Sequence, residues 1–162
     1  MSLIVRKYGG SSVATVDQIK AIAKNIASLN KDSKNQKIII VVSAMGSTTD
    51  QLSALAYTVS AAPSRRELDM LLSTGERVAS SLMAMALNDV GCRAVSFTGS
   101  QAGVFTDDSH TNAQVLDLRP IRIEDELNRD RIIVLAGFQG VSPKTKEITT
   151  LGRGGTDLTA VV

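Results

Sequence analysis

Five consecutive β-branched residues, Ile38-Ile39-Ile40-Val41-Val42, leave a chain of this kind few options. Such a run has no polar face. As a strand it needs apolar cover on both sides, as an inner strand of a parallel sheet has when helices flank it. Ile132-Ile133-Val134-Leu135 has the same property. Ile4-Val5 opens a further strand, also expected to be buried, and Arg93 to Phe97 another.

Between these runs the apolar period changes to three and four. Thr15-Val16-Asp17-Gln18 is a capping-box pattern, and Ile19, Ile22, Ile26 and Leu29 then share one face of a helix. That helix is expected to start near Val16 and to give way to a polar loop over Asn30 to Gln36. Leu52, Leu55, Ala56 and Val59 predict a second helix. Ser64 with Glu67 repeats the capping pattern ahead of an Ala/Leu/Met-rich helical stretch that runs to Leu87, broken at Ser73-Thr74-Gly75-Glu76 and closed by Gly91. Met83 and Met85 read as core there, and Cys92 as a packed, inert thiol. Thr98 to Leu118 reads as loop with short β segments, and Ile121 to Leu127 as a weak helix. Gly137 to Thr145 reads as turns, Ile148 to Leu151 as a short strand, and Leu158, Ala160 and Val161 as the first turn of a helix. The alternation predicts an α/β fold: a three-layer αβα sandwich with a mostly parallel sheet and right-handed connections.

Bulk properties remove several classes of function. A chain of 162 residues, 43% of them hydrophobic, can bury one sizeable core. With 18 basic and 16 acidic side chains and no basic run, a nucleic-acid partner is not expected. Nor is a membrane: the apolar run ending at Val42 is far too short to span one, and Arg6 and Lys7 precede any signal-like segment. Cys92 is the one cysteine, so neither an intrachain disulfide nor a thiolate zinc site is available, and a reducing cytoplasm is the expected location. His110 beside Asp107-Asp108 is too sparse for a metal cage, and a structural or solvated role is expected for it.

Polar, glycine-containing loops follow the first two strands and the last short one. In open parallel sheets such loops gather at one edge, where ligands bind. Gly9 and Gly10 allow close approach of backbone to ligand, Lys7 places a mobile charge ahead of them, and the next helix start offers amides to an anion. The segment matches neither a Walker loop nor a dinucleotide turn, and by itself it equally suits a plain tight turn with Lys7 solvated. Taken singly, Glu76 equally suits an exposed helix start and Arg153 a solvated loop charge.

Taken together these segments resemble one family. Lys7-Tyr8-Gly9-Gly10-Ser11-Ser12 is similar to the Lys-Phe-Gly-Gly-Thr-Ser signature of aspartate kinases, members of the amino acid kinase family. Val42-Ser43-Ala44-Met45-Gly46 with Thr48-Thr49-Asp50 resembles that family's second loop. Ser73-Thr74-Gly75-Glu76, Gln101-Ala102-Gly103 with Thr106-Asp107 and His110, Ala136-Gly137-Phe138-Gln139-Gly140, and Thr150-Leu151-Gly152-Arg153-Gly154-Gly155-Thr156-Asp157 follow in the family's order and spacing. Tyr8, Ser11 and the stretch Ala113-Gln114-Val115 depart from the family pattern, the last by losing a positive charge.

The resemblance implies the carbamate-kinase-like form of the αβα fold. It also implies ATP-dependent phosphorylation of the side-chain carboxylate of L-aspartate, the first step toward lysine, threonine and methionine. Lys7 and Asp157 are then the catalytic pair, and Lys7, Gly9, Gly10, Ser11 and Ser12 face the nucleotide phosphates. Ser43, Thr49, Glu76, Arg153, Gly154, Gly155 and Thr156 hold the substrate, with Gly46 a further donor and Arg153 gripping the α-carboxylate through a bidentate fork. Magnesium arrives with ATP, held by phosphates and waters. The family pattern further implies that residues 1–162 are the aspartate-binding portion of a longer, truncated kinase domain. The nucleotide-binding half and ACT regulatory domains are then absent, and an open sheet edge favours homo-oligomers. A non-catalytic domain acting through self-association or a partner chain, or a kinase for another carboxylate or a carbamate, remain alternatives.

Overall fold

The structure, a computed structural model, describes residues 2–32 and 36–162. Along the chain run β1 (Ser2–Tyr8), a 3-10 turn (Gly10–Val13), α1 (Val16–Asp32), β2 (Gln36–Val42), α2 (Thr48–Val59), α3 (Arg65–Leu72) and α4 (Thr74–Asp89). There follow β3 (Ala94–Phe97), β4 (Val104–Thr106), β5 (Val115–Leu118), α5 (Ile121–Asn128), β6 (Ile132–Ala136), β7 (Gln139–Val141), β8 (Ile148–Thr150) and α6 (Gly155–Val161).

A parallel sheet in the order β1-β2-β6-β3 forms the centre. The two continuously apolar runs are its inner strands, and their alternate residues serve two separate cores. Ile38, Ile40, Val42, Ile132 and Val134 meet Ile19, Ala23, Ile26, Met83 and Leu87 of α1 and α4. Val41, Ile133 and Leu135 point the other way, against Phe97, Val104 and the Ile123 and Leu127 side chains of α5. α6 also packs on β1 and β2, giving helices on both faces of the sheet and the three-layer α/β arrangement expected. Ile40 is wholly buried, and truncating such a side chain to Ala costs about 2–5 kcal/mol.

Local signals hold well. At the start of α1 the Thr15 amide donates to Gln18 Oε1 (3.0 Å) and the Gln18 amide to Thr15 Oγ1 (3.2 Å), a reciprocal capping box. Ser64 accepts from the Glu67 amide at the start of α3. Past α4, the Gly91 amide donates to Asn88 and the Cys92 amide to Leu87, a Schellman stop.

Other expectations need correction. β1 is an edge strand rather than a buried one: among the described residues only β2 pairs with it, and Leu3 and Val5 are 56% and 44% exposed. They line an apolar groove left between α5 and α6. α1 continues to Asp32 and β2 begins at Gln36, so the expected 30–36 loop is shorter than anticipated; residues 33–35 lie outside the described residues. Met83 is fully buried but Met85 is 64% exposed, since side chains two apart on a helix point in nearly opposite directions. Leu55 and Val59 of α2 are exposed as well.

The largest difference is a second sheet, β5-β4-β7-β8, in which β4 pairs with β7 in parallel and the other pairs are antiparallel. The stretch expected as turns over Gly137 to Thr145 contains β7. Its Gln139 looks like a loop residue in sequence, yet it is buried and donates through Nε2 to the Ser73 carbonyl (2.9 Å). β8 belongs to this sheet and not to the parallel one.

Candidate functional site

Parallel register brings the C-terminal ends of β1, β2 and β6 to one edge. Lys7 pairs with Val41, Tyr8 with Val42, and Val42 with Ala136. The ladder continues one step into the loops, where the Ser43 amide donates to the Tyr8 carbonyl and the Gly137 amide to the Val42 carbonyl, both at 3.0 Å. Three loops therefore leave side by side.

Gly10 sets how closely the first two can lie. A Cβ there would stand 2.9 Å from the Ala44 carbonyl oxygen and 3.1 Å from that of Gly46, and the Gly46 amide donates to the Gly10 carbonyl (3.0 Å). The last loop arrives from the second sheet. The Leu151 amide donates to the Phe138 carbonyl (2.9 Å), and Gly154, at φ 79°, turns the chain into α6.

Between these loops lies a cleft of about 280 Å³. Lys7 and Gly10 form one wall; Ser43, Ala44, Gly46 and Thr49 form the next. Glu76 and Phe138 also line it, Phe138 against Gly155, and Gly152 to Asp157 complete it. Lys7 Nζ lies 2.9 Å from Asp157 Oδ1, so the end of β1 and the first turn of α6 are joined by an ion pair.

Glu76, in the first turn of α4, is only 3% exposed, which removes the reading of an exposed helix start. Its Oε1 accepts the Ala44 amide (3.1 Å), while Oε2 is buried with no hydrogen-bond partner among the described residues. Burial pushes its carboxyl up to about 7, against the opposing pull of the Ala44 amide. A buried, half-partnered carboxylate facing a cleft has the chemistry to accept a cation. Arg153 is exposed at the mouth and Thr49 half-buried. Thr156 is buried with its side chain against Gly137.

The remaining residues singled out from sequence lie apart from this lining. Gly9 adjoins the Lys7 ammonium, with a Cβ there 3.4 Å from Nζ. Ser11 and Ser12 are exposed on the 3-10 turn, and the Ser12 amide is committed to the Gly9 carbonyl (2.9 Å). Conversely, Ala44, Phe138 and Gly152 line the cleft without having been assigned a role. Phe138 follows β6, and its place was available from the rule that ligand loops follow the central parallel strands.

His110 has a structural partner: its Nδ1 lies 2.7 Å from Oδ2 of the buried Asp69. Asp107 accepts the Gln114 and Ser109 amides, which hold its carboxyl below the ordinary range. Among the described residues no group of three or more His, Cys, Asp or Glu side chains could hold a metal ion, and no helix is long and apolar enough to cross a membrane.

A parallel sheet covered on both faces, with a cationic and carboxylate-bearing cleft at its strand ends, matches the family model of the amino acid kinase family over residues 2–162; the chain belongs to that family. Among curated proteins it is similar to the aspartokinases of Mycobacterium bovis (52% identical) and Corynebacterium glutamicum (48%), in each case over 99% of this chain and 38% of the relative. The chain thus spans well under half the length of these relatives. Among solved structures, aspartate kinase from Synechocystis superposes with a TM-score of 0.79 at 45% identity, over 98% of this chain and 25% of that one. E. coli aspartokinase III in complex with aspartate and ADP superposes with a TM-score of 0.81 at 25% identity, over 98% and 45% respectively.

Proposed function

We propose that this chain is the aspartate-binding and phosphoryl-facing part of an aspartate kinase, forming 4-phospho-L-aspartate at the head of lysine, threonine and methionine synthesis. The observation that carries the reading is the Lys7–Asp157 ion pair closing a cleft that also holds the buried Glu76 and the exposed Arg153. The similarity to aspartokinases, one of them solved with aspartate and ADP, supports the same choice of substrates.

The reaction joins a side-chain carboxylate oxygen of aspartate to the γ-phosphorus of ATP and breaks the bond from that phosphorus to the β-phosphate oxygen, releasing ADP. With a reference pKa of about 3.9 the nucleophile is already ionised at neutral pH, so no general base is required. The obstacle is repulsion between anions, and the site must supply positive charge and alignment. Lys7 supplies the charge, and Asp157 holds its ammonium over the cleft. Glu76 takes the substrate ammonium, and Arg153 takes the α-carboxylate with a planar fork that a lysine lacks.

The cleft falls below the roughly 300–1,000 Å³ typical of drug-sized pockets, room for an amino acid and one phosphoryl group. Adenosine is therefore not assigned to it. Its two carboxylates are Glu76, with Oε1 on the Ala44 amide and Oε2 unpartnered among the described residues, and Asp157, on Lys7; Mg2+ would enter with ATP, held by phosphates and waters rather than by a protein cage.

Calorimetric titration of the chain with L-aspartate, L-glutamate and carbamate tests the reading. Saturable binding of aspartate in preference to the other two is expected. Equal or stronger binding of glutamate or carbamate would move the chain to another substrate within the same family.

A further inference from the structure

We propose that Asp69 is a positioning residue for Arg153, gripping through Thr150 and Thr111 the two strands of chain that set the direction of the arginine-bearing turn. The proposal rests on the reading of Arg153 as the α-carboxylate clamp.

Asp69 lies on α3, outside the cleft, and is fully buried. A carboxylate in that position needs donors for both oxygens. It has them: Thr150 Oγ1 donates to Oδ1 (2.6 Å), the Thr111 amide lies 3.0 and 3.1 Å from Oδ1 and Oδ2, and His110 Nδ1 lies 2.7 Å from Oδ2.

The partners come from segments that converge on Gly152. Thr150 ends β8, two residues before it. Thr111 and Asn112 lie directly beneath it: a Cβ on Gly152 would stand 2.8 Å from Asn112 Oδ1 and 3.3 Å from the Thr111 carbonyl oxygen. The Ala113 amide donates to the Thr150 carbonyl (2.9 Å), fastening the same two segments to each other. Beyond Gly152 the turn is held by the Gly155 amide on the Gly152 carbonyl (3.1 Å). Arg153 itself is exposed, so the direction of its long side chain depends on where its backbone is fixed.

The same strand pair reaches the other end of the substrate. Thr150 pairs with Gln139, whose Nε2 holds the Ser73 carbonyl at the start of α4, one turn before Glu76. One buried carboxylate thus ties the arginine turn into the frame that carries Glu76.

The test is a double-mutant cycle read by calorimetric affinity for L-aspartate. R153A is expected to raise Kd at least 10-fold, and D69N and T150V at least 5-fold each. T150S, which keeps the hydroxyl, is expected to bind within 2-fold of the parent chain. In the R153A background, D69N is expected to add less than 2-fold, because a residue acting through Arg153 has nothing further to lose; general loosening of the fold would multiply the two losses. If D69N does not fold, the T150V and T150S pair, crossed with R153A in the same way, decides. Parent-like binding by D69N and T150V, or losses that multiply with R153A, would overturn the inference alone. Parent-like binding by R153A would overturn the clamp reading and the inference together.

Discussion

Lys7 and Asp157, 150 positions apart in sequence, stand with Nζ and Oδ1 2.9 Å from each other, so the end of the first strand of the parallel sheet and the first turn of the last helix close one cleft. The two side chains are 32% and 69% exposed, and solvent screens their attraction. An exposed pair of this kind contributes about 0–1 kcal/mol. K7M and D157N should accordingly leave the urea midpoint almost unchanged, while K7M abolishes measurable binding of inorganic phosphate. A large loss of stability in K7M would make the pair a structural strut rather than an anion receptor.

Glu76 gives the chain a pH signature. Its carboxyl is held at about 7 when folded, against an ordinary 4.5. Below pH 4.5 it is protonated in both states and has no effect. Between 4.5 and 7 the unfolded chain releases the proton and the folded chain keeps it, so folding loses about 3 kcal/mol across that window and no more above it. The difference in unfolding free energy between the parent and E76Q, measured from pH 4 to 8, should show that slope. A flat difference would mean that Glu76 is not desolvated.

Ligand binding should run the opposite way. An ammonium brought to Glu76 favours its ionised form, so L-aspartate should bind more weakly at pH 6 than at pH 8 and release a proton on binding near neutrality. Calorimetry in buffers of different ionisation enthalpy reads that proton directly, and E76Q should lose the effect.

G10A should disturb two loops at once. The added methyl meets backbone oxygens of Ala44 and Gly46, which cannot swing aside as a side chain end can. A cost of about 1–3 kcal/mol is expected, as for other overpacked sites, with loss of the cleft's ligand affinity. Denaturant unfolding and aspartate titration of the variant check both.

R153K retains charge but not the planar fork, and should raise the aspartate Kd by about 10-fold, equivalent to 1.4 kcal/mol. Unchanged affinity in R153K would assign Arg153 a role as point charge only.

The parallel sheet was legible because its inner strands bury both faces. Ile38 to Val42 and Ile132 to Leu135 have no polar face to leave in water and pack on both sides. Of the second sheet, β8 and short β segments within 98–118 were expected, but β7 and the pairing into a separate sheet were not, because these strands are short and bury polar side chains such as Gln139 and Thr149, whose hydrogen-bond partners are distant in sequence. Most of the cleft lining was legible through resemblance at Lys7, Gly10, Thr49, Glu76 and the 153–157 segment. What sequence could not show was geometry: that Ser11 and Ser12 turn outward, that Glu76 is buried rather than exposed, and that Asp69, unremarkable on a helix, collects donors from His110, Thr111 and Thr150.

The most direct test of the aspartate-binding cleft is amide chemical-shift mapping of the chain with L-aspartate, beside succinate, which lacks the ammonium. The account predicts saturable shifts at Ala44, Glu76 and Gly152 to Asp157 with aspartate, and much weaker ones with succinate. Absence of saturable shifts at these residues, or shifts of equal size with succinate, would contradict it.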